Sequence, residues 1–400
     1  MSHYGLVLAG GGAKGAYQMG AWKALREMNI TFDAIAGVSI GSINGALIAQ
    51  GDFDKAMEMW ESVSIDKGVK ITEALPDPEN LFSKKNWGAL FKEVVKKGGI
   101  DASPMDSYIR TYIDEAKIRE NGIPLGIITV QLNQKASGLE LFIDDIPEGE
   151  LIDYLLASSN IPLVTNIGPE GERFLDGGVY DNTPVMTLKK RGYNKLIVID
   201  IANIKGVAYN LDFSNSQVVY IKPYDTDDLG AAFDFDAELS KKRMQLGYLD
   251  TKKAFGHLSG NIYHFLPVTF RIFTAKYGVD EVYQLELLAH RLGVSKYEIY
   301  SEDTFLLSLK SAYEKEKAEL EAREEARSKS AEASEELTPD DAVAEKEAEG
   351  NRFSFGALRH YFAQKKTGFE GFEKAVAVLE EFGIRNSEFG IAPEAVLDGE

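Results

Sequence analysis

The first fifty residues alternate apolar runs with segments of helical period. Residues 4–9 (YGLVLA) form a short apolar run ended by glycines, which predicts a buried strand. In residues 16–28 (AYQMGAWKALREM), Met19, Trp22, Leu25 and Arg26 recur at helical spacing. Residues 33–37 (DAIAG) predict a second strand. A second helix follows over 40–50, with Gly41, Ser42, Gly45 and Ala46 near its start. Two successive strand–turn–helix units point to a parallel α/β sheet with right-handed crossovers. Further strands are expected at 125–130 (LGIITV), 139–143 (LELFI) and 195–201 (KLIVIDI), and residues 239–310 read as mostly helical. No internal repeat is visible.

Two kinds of segment break this pattern. Residues 81–99 are basic and amphipathic: Leu81, Phe82, Leu90, Phe91, Val94 and Val95 alternate with Lys84, Lys85, Lys92, Lys96 and Lys97. They read either as a solvated helix on the sheet or as a lipid-facing element. Residues 314–349 hold 14 acidic and 6 basic residues, net −8, with almost no large apolar side chains. That composition fits a solvated helix or an unstructured linker. A basic-aromatic stretch, 351–366, follows as a lipid contact or a docking motif, and then a helix around 370–382. The expected division is a main domain over 1–310, an acidic segment over 311–350 and a C-terminal segment over 351–400.

Composition narrows the classes of function. The chain has 400 residues, 44% of them hydrophobic, enough for one large domain with an appendage or for two ordinary domains. Its net charge of −19 disfavours nucleic acid as the main partner, because phosphate backbones require basic neutralisation. With no cysteine, disulfides, thiolate catalysis and cysteine-ligated metals are excluded. No secretory leader is visible at Met1-Ser2-His3-Tyr4, and no apolar run is long enough to span a bilayer. The expectation is a cytoplasmic protein with membrane contact at most peripheral. Oligomeric state is not legible.

Candidate chemistry is concentrated at two glycine-rich turns. Gly37-Val38-Ser39-Ile40-Gly41 places a serine between a predicted strand and a predicted helix, the context of a nucleophile elbow. The flanking Gly37 and Gly41 remove side chains that would clash on so tight a turn. Gly10, Gly11, Gly12, Ala13, Lys14 and Gly15 offer a row of unobstructed backbone N–H groups suited to a developing oxyanion. The hexad also contains G-x-G-x-x-G, the dinucleotide fingerprint. That motif requires an acid at the C-terminal end of the next strand, where this chain has Gly37-Val38-Ser39; Asp33 opens that strand instead. A phosphate-binding P-loop fails on spacing. None of His3, His257, His264, His290 and His360 has a triad-like setting. Asp176, followed by Gly177-Gly178, remains as a possible partner of the serine or as an ordinary hairpin turn.

GGGAKG at 10–15, GVSIG at 37–41, ASSNIP at 157–162 and DGGVYDNTP at 176–184 occur in that order. Together they resemble the patatin-like phospholipases, lipid acyl hydrolases with a Ser–Asp dyad and no catalytic histidine. The resemblance spans roughly residues 4–310. It implies a three-layer α/β/α patatin-like domain with a mainly parallel central sheet, plus a helical C-terminal extension. It further implies Ser39 as nucleophile, Asp176 as dyad acid, and backbone N–H groups around Gly11, Gly12 and Ala13 as the oxyanion hole. Lys14 stands where the family has Arg or Lys, and Ala9 where many members have Asp. The expected substrate is a lipid ester, with no metal and no cofactor. Two other readings are a non-catalytic patatin-like scaffold and, from residues 287–300 (LLAHRLGVSKYEIY), a DNA-binding helix-turn-helix; the net charge opposes the latter and favours a helical hairpin packed against the catalytic domain.

Overall fold

A computed structural model of the chain describes residues 3–64, 103–132, 136–160, 169, 172–202, 210–333 and 377–378. The basic stretch 81–99, the basic-aromatic stretch 351–366 and nearly all of the helix expected around 370–382 lie outside the described residues. The chain divides into two units, Met1–Gly256 and His257–Glu400.

In the first unit the order is β1 (His3–Leu8), α1 (Ala16–Glu27), β2 (Thr31–Val38), α2 (Ile40–Gln50), α3 (Phe53–Glu61), α4 (Ser103–Tyr112), α5 (Glu115–Asn121), β3 (Leu125–Leu132), β4 (Ala136–Phe142), α6 (Leu151–Ser158), β5 (Phe174–Asp176), α7 (Val185–Lys189), β6 (Lys195–Ile199), β7 (Gln217–Ile221) and α8 (Ala237–Ala254). The sheet runs β4-β3-β2-β1-β6-β7, with β5 also paired to β3. Strands β1, β2, β3, β6 and β7 are mutually parallel; β4 and β5 run antiparallel to β3.

Burial on both faces explains the unbroken apolar runs. Val7, Ala34, Ala36, Leu196 and Val198 share one face with Val185 and Leu188 of α7. On the other face, Gly45 of α2 lies against Ile35, Leu125 and Leu8. Helices therefore flank a mostly parallel sheet on both sides, a three-layer α/β architecture. Helices α1 and α8 approach at backbone distance: a Cβ on Gly20 would lie 1.7 Å from the Met244 carbonyl oxygen, and one on Gly247 would lie 2.0 Å from that of Tyr17. Among the described residues, no helix is long and apolar enough to cross a membrane.

The second unit contains α9 (Pro267–Tyr277), α10 (Val279–Arg291) and α11 (Glu302–Ala333). Its core gathers Tyr263, Phe265, Phe273, Leu285, Tyr300 and Phe305. Residues 257–310, read with the catalytic domain from sequence, thus carry a core of their own. The helix-turn-helix weighed at 287–300, and disfavoured there against a helical hairpin, does not form within those residues. Helix α10 ends at Arg291, Gly293 takes φ +72°, and the next helix starts only at Glu302. Between them the Tyr300 N–H donates to the His264 carbonyl oxygen at 2.8 Å, drawing the chain into an extended bridge. The acidic segment is helical as far as Ala333; residues 334–349 lie outside the described ones.

Candidate active site

Strand register brings Ser39 and Asp176 together. Along one edge of β3, β2 pairs until Val38 stands opposite Ile128. At the next β3 position, Thr129, β5 arrives from the other direction and ends with Asp176. The two strands meet head to head on consecutive residues of a third, and the chain turns away from each at that junction. Ser39 Oγ donates to Asp176 Oδ2 at 2.6 Å, across 137 residues of sequence.

Ser39 occupies a backbone conformation rare for a residue with a side chain, φ +53° and ψ −130°, and it caps the N-terminus of α2. Such a conformation costs about 1–3 kcal/mol and persists only where its surroundings enforce it. Three features do so. A Cβ on Gly37 would lie 2.2 Å from the Gly41 carbonyl oxygen, and one on Gly41 would lie 2.3 Å from that of Leu8, so neither position accepts a side chain. The Ser39 carbonyl oxygen accepts from the Ser42 N–H at 2.9 Å and from Ser42 Oγ at 2.7 Å. The Ser39 N–H donates to Ser158 Oγ at 2.8 Å, and Ser158 Oγ in turn donates to the Ile128 carbonyl oxygen at 2.6 Å.

Asp176 is fixed on both sides. Its Oδ1 accepts from the Gly178 N–H at 2.8 Å, and its own N–H donates to the Asn160 carbonyl oxygen at 2.8 Å. Asn160 Nδ2 donates to the Phe174 carbonyl oxygen at 2.9 Å, so one residue holds both ends of β5. A Cβ on Gly177 would lie 2.1 Å from the Ile128 carbonyl oxygen, which is why glycine follows the acid. Burial raises the Asp176 pKa above the ordinary carboxylate value, while the bonds from Ser39 and Gly178 partly oppose the shift. Its basicity toward the serine hydroxyl rises accordingly.

The glycine hexad lies beside Ser39: a Cβ on Gly10 would be 3.3 Å from that of Ser39. Several of its peptide groups are already bound. The Gly10 N–H donates to the Asn182 carbonyl oxygen at 3.2 Å, the Ala13 N–H to that of Ala232 at 2.7 Å, and the Lys14 N–H to that of Gly11 at 3.3 Å. Gln18 Nε2 donates to the Ala9 carbonyl oxygen at 2.8 Å, and Asn44 Nδ2 to that of Gly15 at 3.0 Å. Asn44 also bonds Gln18 at 2.8 Å and Trp60 at 2.9 Å, a buried polar chain linking the hexad to α2. Among the described residues, the Gly11 and Gly12 N–H groups have no hydrogen-bond partner. Gly10, Ala13 and Lys14 thus spend their N–H groups on the fold, while those of Gly11 and Gly12 stay open in this conformation. Gly15 sits in a 3₁₀ turn (Gly12–Gly15) against Ile40, Asn44 and Trp60 and serves packing. The Lys14 side chain is buried, which lowers its pKa, while the nearby Asp227 opposes the shift.

Sequence reasoning assigned no role to Ser158, Asn160 or Asn182, although each falls inside a quoted motif block. Gln18, Asn44 and Arg243 carried no signal beyond being polar residues in helices. Among the described residues no group of three or more His, Asp or Glu side chains is arranged to hold a metal ion.

Residues 6–189 match the family model described as "Patatin-like phospholipase". The chain is 28% identical over 204 residues to "Lysophospholipase NTE1" of Candida glabrata; the match covers 50% of this chain and 10% of that protein. It is 29% identical over 204 residues to "Patatin-like phospholipase domain-containing protein ZK370.4" of Caenorhabditis elegans, covering 50% of this chain and 14% of that protein. The chain thus matches only a small part of these relatives' length. The crystal structure of VipD from Legionella pneumophila aligns over 78% of this chain and 80% of that one, at 14% identity and a TM-score of 0.28, too loose a superposition to bear on the fold. Residues 6–189, which reach from β1 to β5 and carry Ser39 and Asp176, are thus similar to the patatin-like phospholipase family.

Proposed function

We propose that the chain is a serine-dependent lipid acyl hydrolase that works through a Ser39–Asp176 dyad and an acyl-enzyme. The observation that carries this is the 2.6 Å hydrogen bond from Ser39 Oγ to a carboxylate made more basic by burial. In the first half-reaction Asp176 Oδ2 takes the hydroxyl proton as Ser39 Oγ attacks an ester carbonyl. The Gly11 and Gly12 N–H groups and the positive end of α2 stabilise the negative charge that develops on the carbonyl oxygen. Collapse expels the alcohol, which leaves with the proton from Asp176. In the second half, Asp176 draws a proton from water, the water oxygen attacks the acyl carbon, and Ser39 is released with its proton restored.

The names of the relatives point to lysophospholipids and phospholipids as the substrate class. The test is acid release from a lysophospholipid and from a short-chain soluble ester by the purified chain, with Ser39→Ala beside it. Turnover of both by wild type and of neither by the variant is expected. Equal turnover by the variant would end the assignment.

A further inference from the structure

The glycine hexad is held from outside the family domain. Residues 229–243 lie beyond the matched stretch 6–189, yet they grip Ala13 at both of its peptide groups. The Ala13 N–H donates to the Ala232 carbonyl oxygen at 2.7 Å. The Ala13 carbonyl oxygen accepts from Arg243 Nη1 at 3.2 Å. The same guanidinium donates to the carbonyl oxygens of Leu229 (Nε, 2.7 Å), Asp234 (Nη1, 2.8 Å) and Ala231 (Nη2, 3.3 Å). One fully buried side chain on α8 therefore ties the hexad to the 229–234 segment that covers it. Contact is close enough that a Cβ on Gly12 would lie 2.2 Å from the Ala232 carbonyl oxygen.

We propose that Arg243 is a positioning residue of the oxyanion loop, acting through Ala13 to fix the Gly11 and Gly12 N–H groups. The proposal rests on the reading of Ser39 as nucleophile. Gly12 has φ +59° and, lacking a Cβ, can leave that conformation readily. Clamping the two peptide groups on its C-terminal side removes that freedom before substrate arrives. Donors fixed in advance need no reorganisation as charge develops, which is the source of their catalytic effect. A role in stability alone does not call for a guanidinium, since a well-packed apolar side chain often serves a buried position as well.

The test compares wild type, Arg243→Lys and Arg243→Ala on a soluble short-chain ester and in the rate of fluorophosphonate labelling, with thermal unfolding measured alongside. Misplacing the loop is expected to lower kcat and the labelling rate by about 10- to 100-fold with KM nearly unchanged. Arg243→Lys should fall between wild type and Arg243→Ala. Added guanidinium ion should restore part of the Arg243→Ala rate where sodium chloride at equal ionic strength does not. A folded variant with wild-type kcat, or a loss that follows only the unfolded fraction and ignores guanidinium, overturns the proposal. If Arg243→Ala does not fold, Arg243→Lys decides by the same criterion. Variants that label as fast as a labelled wild type overturn this proposal alone; wild type that does not label at all overturns the nucleophile reading beneath it.

Discussion

Replacing Ser158 by alanine isolates what holds the elbow in its strained form. The substitution deletes one oxygen from a buried site and leaves almost no cavity. Two bonds go with it: the 2.8 Å acceptor of the Ser39 N–H and the 2.6 Å donor to the Ile128 carbonyl oxygen. A buried N–H left without a partner costs about 1–3 kcal/mol. Ser39 at φ +53° carries strain of similar size that the lost bond helped to hold. In a unit of this size each kcal/mol moves Tm by about 2–4 °C, so a fall of about 2–12 °C is expected. Catalysis should suffer as well, because a relaxed Ser39 turns its Oγ from Asp176; each 1.4 kcal/mol of lost preference for the aligned geometry costs about tenfold in kcat. Thermal unfolding and kcat on a soluble ester, measured on the same preparation, check both. Wild-type Tm together with wild-type kcat in Ser158→Ala would refute the claim that this bond supports the elbow.

Asp176→Asn should remove most turnover and raise stability near neutral pH. Burial lifts the Asp176 pKa, so the folded protein binds that proton more tightly than the unfolded chain does. The stabilisation from protonation is complete below the ordinary carboxylate pKa of about 3.9 and is lost as pH rises through the folded value. At neutral pH the ionised carboxylate therefore opposes folding, and a neutral amide relieves it; a less stable variant at neutral pH would contradict this sign. The acid limb of the wild-type kcat profile should, for the same reason, lie above the ordinary carboxylate range, and a limb at or below that range would count against Asp176 as base. Gly41→Ala and Gly45→Ala, one turn apart on α2, should separate sharply in denaturant unfolding. The first drives a Cβ against the Leu8 and Ala9 carbonyl oxygens at 2.3 and 2.7 Å, backbone that cannot yield, and should cost about 3 kcal/mol or more. The second meets only methyl groups at 3.1–3.7 Å and gains helix propensity, so its net change should stay within about 1 kcal/mol.

Local features of the chain were legible because local physics produces them. Helix α2 was read over Ile40–Gln50, the limits it has in the structure, since small residues after an apolar strand leave few alternatives. Strand β5 was not read, because Phe174–Asp176 is three residues long and shows no period. Yet β5 is what places the acid, and its position depends on Val38 and Asp176 standing opposite successive residues of β3. Register of that kind is a non-local property that no single segment encodes. The hexad reads from sequence as a row of open backbone N–H groups, but which of them stay open depends on Asn182 and Ala232, far away in the chain. Arg243 follows Lys241 and Lys242 on a helix in which nothing in the sequence singles it out. Its burial follows from the close approach of α1 and α8 at Gly20 and Gly247. The helix-turn-helix pattern at 287–300 shows the same limit: Gly293 fits a turn between helices, but His264, the partner that draws Tyr300 into a bridge, lies outside the 14-residue pattern.

The most direct test of the account is the site of covalent capture. Purified chain is treated with a fluorophosphonate, digested, and mapped by mass spectrometry, with Ser39→Ala and Asp176→Asn treated in parallel. The account predicts a single adduct on Ser39 in wild type, none in Ser39→Ala, and much slower labelling in Asp176→Asn. An adduct on another serine, or labelling of Asp176→Asn at the wild-type rate, would contradict it.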